Sequence, residues 1–248
     1  MIPYQPFPVL LDLGFIKLYT YGLFVALGAI LALYLAGRDA EKIGLRRKDI
    51  NDLALWLLLG ALIGARLLYV VQFGGNPIKV WEGGLVYWGG FIGGIAALGL
   101  YSWYRKIEFL KLTDLLIVYV PLAHAFGRVG CYFRGCCYGL PMQNVMPWAV
   151  DYLGALRHPT QIYSILGNLG VFAFLYRIRV LIRQQGMLTA IYLLLYPPVR
   201  FIIEIFRDEP NIIGSLSAGQ VSSLIMFLVG VILGIYLLKI YKGPNRRK

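Results

Sequence analysis

Three arginines lie where a polypeptide rarely places them, inside or at the edge of long apolar runs. Arg66 lies in LIGARLLYV, Arg128 in HAFGRVGCYF and Arg200 in PPVRFIIEIFR. An arginine at the centre of a membrane helix costs roughly 2.5–3.5 kcal/mol, so each guanidinium needs a partner or a function. Its planar fork of donors can bind a phosphate through two parallel hydrogen bonds. The arginines therefore predict an anion-binding site; the alternatives are snorkelling to the interface and structural ion pairs.

Acidic residues near these arginines are fewer than the arginines themselves. Glu204 follows Arg200 by four positions, which places both on one helical face and predicts an intramembrane ion pair. Asp114 offers a second acidic group near the start of another apolar run. The cations still outnumber the carboxylates. A phospholipid phosphate, the commonest anion in a bilayer, would balance them.

The segment GRVGCYFRGCCYG, residues 127–139, carries four glycines and all three cysteines of the chain. Glycine allows a positive φ and close backbone approach, so we expect a helix to open here into a loop that contacts a ligand. The glycines could instead serve helix packing. Cys131, Cys136 and Cys137 could bind a metal, form a disulfide or pack a tight turn. Because their spacing makes no recognised metal-binding pattern with a histidine, we predict a packing role, with no metal and no cofactor.

The two histidines are candidates for proton transfer. His124 precedes Arg128 by four positions and would share its helical face, where it could accept a proton beside a phosphate. His158 opens the segment HPTQIY. A structural role is the alternative for each.

A helical membrane domain must position these groups, because the composition excludes an ordinary soluble protein. Of the 248 residues 59% are hydrophobic and 15% are charged, and the mean hydropathy is +0.68. Soluble domains have about 45–50% apolar and about 25% charged residues. The apolar runs are continuous rather than alternating, which favours helices over a lipid-spanning barrel. We predict an all-α integral membrane protein, a single domain over 1–248, with about seven transmembrane helices near 18–37, 52–71, 85–104, 114–130, 160–177, 186–206 and 217–238.

Basic residues are distributed unequally between the two faces that these helices define. Of the 24 Lys and Arg residues, 16 lie in four segments on one face, at 38–48, 105–111, 177–183 and 239–248. Cytoplasmic loops carry an excess of positive charge, so we predict an N-terminus outside and a cytoplasmic C-terminus. The formal net charge of +12 is then explained by topology and by membrane lipids with anionic head groups, not by nucleic acid. With no basic segment before the first apolar run, we expect no cleaved signal peptide.

Together these motifs resemble the prolipoprotein diacylglyceryl transferase family over almost the whole chain. The resemblance rests on TYGLFVALG at 20–28, GARLLY at 64–69, GGLVYWGGFIGG at 83–94, the block at 127–139, HPTQIYS at 158–164 and RFIIEIFR at 200–207. It implies a multi-pass transferase of the bacterial cytoplasmic (inner) membrane that acts in lipoprotein biosynthesis. Such an enzyme moves diacylglyceryl from phosphatidylglycerol to the lipobox cysteine thiol of a preprolipoprotein and releases glycerol phosphate.

The resemblance also assigns roles to residues. It implies catalytic roles for Arg128, Arg200, Glu204 and Tyr21. It implies substrate binding by Arg128, Arg200, Arg66, Gly127, Gly139, His158 and Asp114.

Three positions depart from the best-known members of that family. Cys131 and Cys136 stand where those members have an asparagine and a glutamate, and Trp88 stands where they have a histidine. The usual candidate for the base is therefore absent. A paralogous phospholipid-using transferase with another acceptor, a lipid or anion transporter and a thiol sensor are the alternative hypotheses. We find no internal repeat of the kind that would favour a transporter.

Overall fold

The computed structural model describes residues 2–3, 6–14, 17–79, 84–142, 146–152 and 154–242. Helices dominate these residues: α1 (Thr20–Ala40), α2 (Arg47–Phe73), α3 (Tyr87–Arg105), α4 (Phe109–Ile117), α5 (Val120–Arg134), α6 (Thr160–Ile178), α7 (Met187–Ile205) and α8 (Ala218–Lys242). Gly83 of the third sequence motif and residues 243–248 of the basic tail lie outside the described residues.

Several of these helices are long and apolar enough to cross a membrane. Among the described residues, four meet this test by length and composition, at Thr20–Ile43, Arg47–Phe73, Met187–Ile205 and Ala218–Tyr241. Counting α4 and α5 as one broken span gives five. Helices α3 and α6 coincide with two further predicted spans but are less apolar, because α3 is rich in glycine and α6 buries several polar side chains. The prediction of a helical membrane protein is confirmed.

The predicted span at 114–130 falls on two helices with a break between them. Helix α4 ends at Ile117, and α5 begins at Val120 with Pro121 in its first turn. Proline has no backbone N–H to donate to residue 117, and its ring clashes with the carbonyl four residues earlier. The break therefore follows from the proline, which a hydropathy profile does not detect.

The described residues also form short strands, which the all-α prediction did not include. Strand β4 (Val150–Tyr152) pairs in parallel with β1 (Ile2–Pro3) and antiparallel with β5 (Ala155–Arg157). Two further antiparallel pairs join β2 (Val9–Asp12) to β3 (Lys17–Tyr19) and β6 (Asn211–Ile213) to β7 (Leu216–Ser217). The strands satisfy backbone N–H and C=O groups in connections between the apolar runs, where no helix does so.

The chain divides into two compact units, each described by itself. The first unit comprises Met1–Ala32 together with Ile117–Lys248, and the second comprises Leu33–Leu116. In the second unit α2 and α3 pack through glycines. A Cβ added to Gly64 would lie 2.9 Å from the Cα of Gly93, so a larger residue would force the two helices apart.

Candidate functional site

The first unit gathers several arginines about one buried carboxylate near the end of α7. Arg200 Nη1 lies 2.6 Å from Glu204 Oε2, and the Glu204 side chain is only 2% exposed. This is the ion pair that the four-residue spacing predicts, and it is confirmed. Glu204 also accepts a hydrogen bond of 3.0 Å from the Ser217 hydroxyl. The carboxylate is thus held by groups on both sides of the connection between α7 and α8.

Arg207 is a second cationic partner of Glu204. Its Nη1 lies 3.4 Å from Glu204 Oε2, and its Nη2 lies 2.8 Å from Glu209. Arg207 lies one residue beyond the predicted span at 186–206, and the sequence predicts no role for it. The three-residue spacing between Glu204 and Arg207 could have indicated this contact, since residues at that spacing are neighbours on a helix. Here Arg207 follows the last turn of α7 and still reaches back to the carboxylate.

Gly219, near the start of α8, permits this arrangement by its lack of a side chain. A Cβ added there would lie 2.5 Å from the Glu204 carboxyl carbon and 2.9 Å from Arg200 Nη2. Both distances are below van der Waals contact, so even alanine would displace the ion pair. The start of α8 therefore fits against the Arg200–Glu204 pair and holds it in place.

Arg128 lies on α5, is half-buried, and differs from the other arginines in its partners. The ion pairs formed within the described part of the chain include none between Arg128 and a carboxylate. Arg128 interacts electrostatically with Arg200, so the two positive charges belong to one site. The buried Glu204 cannot neutralise Arg128 as well as its two ion-paired arginines. The site consequently has an excess of positive charge.

Tyr21 enters the same unit from the first turn of α1. A Cβ added to Gly130 of α5 would lie 3.1 Å from the Tyr21 Cα, so the glycine allows α1 and α5 to approach closely. Phe24 and Phe133 stack between the same two helices with ring centroids 5.4 Å apart. The Arg134 guanidinium lies 5.8 Å from the centroid of the Tyr21 ring. Tyr21 also interacts electrostatically with Arg128.

Helix α5 ends within residues 127–139, where the sequence predicts that a helix opens into a loop. The helix continues through Gly127 and Gly130 and ends at Arg134, where Gly135 adopts a left-handed φ of +74°. A glycine with this conformation commonly terminates a helix, since it has no Cβ to clash. The opening into a loop therefore comes at the third glycine of the 127–139 block. Packing leaves Gly127 open, because among the described residues a Cβ added there would meet only Val25, at 3.9 Å.

The three cysteines converge where α5 ends. All three are free thiols, and their sulfur atoms lie within 4.8 Å of one another. Two side chains of α6 fix the backbone beneath them. Gln161 donates to the carbonyl of Cys136 and Thr160 to the carbonyl of Cys137, each at 2.7 Å. Cys137 has a positive φ of 61°, which is uncommon for a residue with a side chain.

Gly139 links the loop after α5 to the ends of α6 and α7. Its N–H donates to the His158 carbonyl at 3.0 Å, and a Cβ added to it would lie 2.6 Å from the carbonyl oxygens of both His158 and Phe206. Arg157 donates to the Gly139 carbonyl at 3.1 Å and pairs with Asp208 at 2.8 Å. Only glycine fits this position. Arg157 is a second residue whose structural role the sequence did not indicate.

The two histidines have different surroundings. His158 Nδ1 lies 3.2 Å from the Tyr163 hydroxyl, and its ring packs 5.0 Å from that of Phe206. Burial lowers the pKa of His158 below its usual value of 6.5, so its neutral form is favoured at pH 7. His124 faces the ring of Tyr196 with centroids 5.8 Å apart. Its buried Nδ1 has no hydrogen-bond partner among the described residues.

Three of the predicted site residues belong to the second unit. Arg66 is 4% exposed and donates to the carbonyl oxygens of Asn76, at 2.7 Å, and Gly84, at 3.3 Å. These bonds give the guanidinium a structural task at the loop between α2 and α3. Trp88 is 48% exposed on α3, and Asp114 is half-buried on α4.

The fold and this cluster define the class of protein: a helical integral membrane protein with a glutamate-centred group of arginines at the end of a membrane helix. The model of the family "Prolipoprotein diacylglyceryl transferase" matches residues 8–236. This chain belongs to the prolipoprotein diacylglyceryl transferase family, a family of enzymes.

Curated relatives agree with this assignment over nearly the full length. The phosphatidylglycerol–prolipoprotein diacylglyceryl transferase of Clostridioides difficile is 34% identical over 231 residues, which cover 90% of this chain and 92% of the relative. The protein of the same name from Clostridium tetani is 33% identical, with 90% and 95% covered. The one from Bordetella avium is 34% identical, with 91% and 92% covered. The resemblance inferred from the motifs is confirmed.

Proposed function

We propose that this chain transfers the diacylglyceryl group of phosphatidylglycerol to the thiol of a lipobox cysteine in a preprolipoprotein and releases glycerol phosphate. The observation that supports this most directly is the excess positive charge about Arg128, Arg200 and Glu204. A cation without a carboxylate partner is costly in a membrane, and an anionic lipid head group would offset that cost. The names of the relatives supply the two substrates.

In the proposed reaction the cysteine sulfur forms a bond to the carbon of the diacylglyceryl unit that is joined to the phosphate. The bond between that carbon and the phosphate oxygen breaks, and the electron pair leaves with glycerol phosphate. Arg128 and Arg200 bind the phosphate and stabilise the negative charge that develops as it leaves. Their guanidiniums are suited to this because each can bind two phosphate oxygens in parallel.

Glu204 has a positioning role in this proposal. Its two arginines and Ser217 hold it, so it fixes the direction of the Arg200 fork. Tyr21 is the one proposed catalytic residue without a formal charge, and its hydroxyl belongs to the same unit as Arg128. The candidate acceptor of the thiol proton is His124, since its buried Nδ1 has no hydrogen-bond partner among the described residues.

Substrate binding is proposed for a wider set of residues. Gly127 gives a lipid close access to the backbone of α5, because packing does not fill the space of its missing side chain. Gly139 and His158 shape the loop beside the arginines. Arg66 and Asp114 of the second unit keep the binding roles that the resemblance implies. No metal and no cofactor take part in this reaction.

We also propose a topology for the chain in the bacterial cytoplasmic membrane. Seven spans would be α1, α2, α3, the broken pair α4–α5, α6, α7 and α8, with the N-terminus outside. The excess of Lys and Arg on the opposite face supports this orientation. It places the loop after α5, and with it the thiols and Gly139, on the side where a secreted preprolipoprotein presents its cysteine.

A reconstitution experiment tests the proposal. Purified protein is incubated in detergent with phosphatidylglycerol and a lipobox peptide, and the peptide mass and the free glycerol phosphate are measured. We expect a mass increase of one diacylglyceryl group and an equal amount of glycerol phosphate. A peptide with serine in place of the cysteine is the control. Lipid turnover without modification of the cysteine peptide would instead indicate a paralogous transferase with another acceptor.

A further inference from the structure

The sulfur atoms of Cys131, Cys136 and Cys137 form a cluster with the dimensions of a metal site. Cys136 and Cys137 sulfurs lie 3.7 Å apart, and all three lie within 4.8 Å of one another. A metal ion about 2.3 Å from each of three thiolates would separate the sulfurs by about 3.8–4.0 Å. The side chains therefore need to move by about 1 Å or less to bind one ion.

The backbone that carries these thiols is fixed by its surroundings. The Cys131 carbonyl accepts hydrogen bonds from the N–H groups of Gly135, at 3.1 Å, and Cys136, at 3.2 Å, which close the end of α5. The bonds from Gln161 and Thr160 hold the next two cysteines against α6. Rigid support of this kind reduces the cost of gathering ligands around an ion.

Charge and access also favour a metal. Each thiol loses its proton to solvent when it binds a metal, so three thiolates and one divalent ion carry a net charge of −1. Arg207 and Arg128 both act electrostatically on Cys137, and their positive charges favour that negative complex. Cys131 is buried, whereas Cys136 and Cys137 are half-buried, which leaves a path for an ion to enter.

A disulfide explains the cluster less well. Cys136 and Cys137 are adjacent in the chain, so their Cα atoms are about 3.8 Å apart across a trans peptide. Disulfides usually join Cα atoms about 4.4–6.8 Å apart. A disulfide between Cys131 and either Cys136 or Cys137 would leave the remaining thiol in direct contact with that disulfide.

We propose that Cys131, Cys136 and Cys137 together bind one thiophilic metal ion of the class that includes Zn²⁺, Cd²⁺ and Cu⁺. The spacing of the three cysteines matches no familiar ligand pattern, so the sequence alone predicts a packing role. Their convergence depends on the left-handed turn at Gly135 and the positive φ of Cys137, which return the chain over the end of α5. The proposal is independent of the transferase activity.

Cadmium titration of the reduced, purified protein tests this site. We expect a thiolate-to-cadmium charge-transfer band in the ultraviolet that saturates at one Cd²⁺ per chain, and a native mass with one bound ion. The triple variant Cys131→Ser, Cys136→Ser and Cys137→Ser contains no thiol and should show neither. Absence of the band in the wild type, or its presence in the triple variant, would overturn the proposal.

Single variants then distinguish a three-sulfur site from binding by the adjacent pair alone. Loss of an outer-shell partner weakens metal binding by roughly 10–100-fold. Removal of any one thiol, which would be a direct ligand, should weaken Cd²⁺ binding by more than that. Cys136→Ser tests this without altering the buried side chain, and Cys131→Ser tests the contribution of α5. Unchanged affinity in a folded Cys131→Ser variant would contradict the site. The site would also be contradicted if the protein as isolated had an intact mass two hydrogens lower and took up no metal. The lower mass would indicate a disulfide.

Discussion

The carboxylate of Glu204 lies 2.6 Å from the guanidinium of Arg200, one helical turn earlier on α7. Glu204 is buried and also contacts Arg207, so this one acidic group serves two cations. Arg128 belongs to the same site without an ion pair to any carboxylate of the described residues. The charge that a lipid phosphate would neutralise is therefore chiefly that of Arg128.

The phosphate-binding role predicts that Arg128→Lys and Arg200→Lys lower activity although they keep the charge. An ammonium group cannot bind two oxygens in a fixed plane, so kcat should fall by roughly 10²-fold or more. Arg66→Lys should lower turnover less than either, because Arg66 bonds to backbone carbonyls, and it should affect stability more. Turnover per folded molecule, with folding checked by monodisperse elution and a thermal melt, is the measurement. Wild-type turnover in both the Arg128 and Arg200 variants would end the hypothesis.

The burial of Glu204 predicts that Glu204→Gln destabilises the protein. Breaking a buried ion pair leaves an uncompensated charge and costs roughly 3–5 kcal/mol. The matched control is Glu209→Gln, which removes the 38% exposed partner of Arg207 and should change stability by no more than about 0.5 kcal/mol. Thermal melts in the same detergent compare the two. Equal melting temperatures for both variants would show that Glu204 does not anchor the cluster.

The close fit of α8 predicts that Gly219→Ala damages the site without removing any charge. The added methyl group would lie 2.9 Å from Arg200 Nη2, so the guanidinium must move and turnover should fall. Gly234→Ala is the control on the same helix, since a Cβ there would meet no atom of the described residues within 4 Å. Steady-state kinetics on both variants provide the comparison. Normal activity in Gly219→Ala would mean that the position of Arg200 is not critical.

The cysteines are predicted to tune or support the site and not to act as covalent catalysts. The resemblance implies that the best-known members of the family have other residues at two of these positions, so the triple serine variant should retain turnover within about tenfold of wild type. Each single variant should do the same. The assignment is wrong if the triple variant folds but has no turnover while the single variants remain active.

The charge asymmetry predicts the orientation of the chain in the membrane. Reporter fusions or thiol labelling should place the 38–48 loop in the cytoplasm and the 131–158 segment outside. A labelled cysteine introduced at Lys42 and one introduced at Trp148 make a suitable pair, since both are exposed. The opposite result would contradict the proposed mechanism, because the acceptor thiol arrives at the outer face.

The class of protein, its family and the Arg200–Glu204 pair were predictable from the sequence. Apolar runs near the length of a membrane crossing predict helices, since every backbone polar group in lipid must be satisfied within the chain. The four-residue spacing places Arg200 and Glu204 on one face whatever surrounds the helix. Local periodicity determines both features, so they require no knowledge of tertiary contacts.

The tertiary structure decided how the ends of these helices meet. Pro121 breaks the fourth span. Arg207, which follows α7, contacts Glu204, and Gly219 allows α8 to pack against the Arg200–Glu204 ion pair. The convergence of the three thiols likewise depends on backbone angles after Gly135. Each of these relationships joins residues outside a regular helical repeat or on different elements. Because close packing and turn geometry determine such contacts, hydropathy and spacing do not specify them.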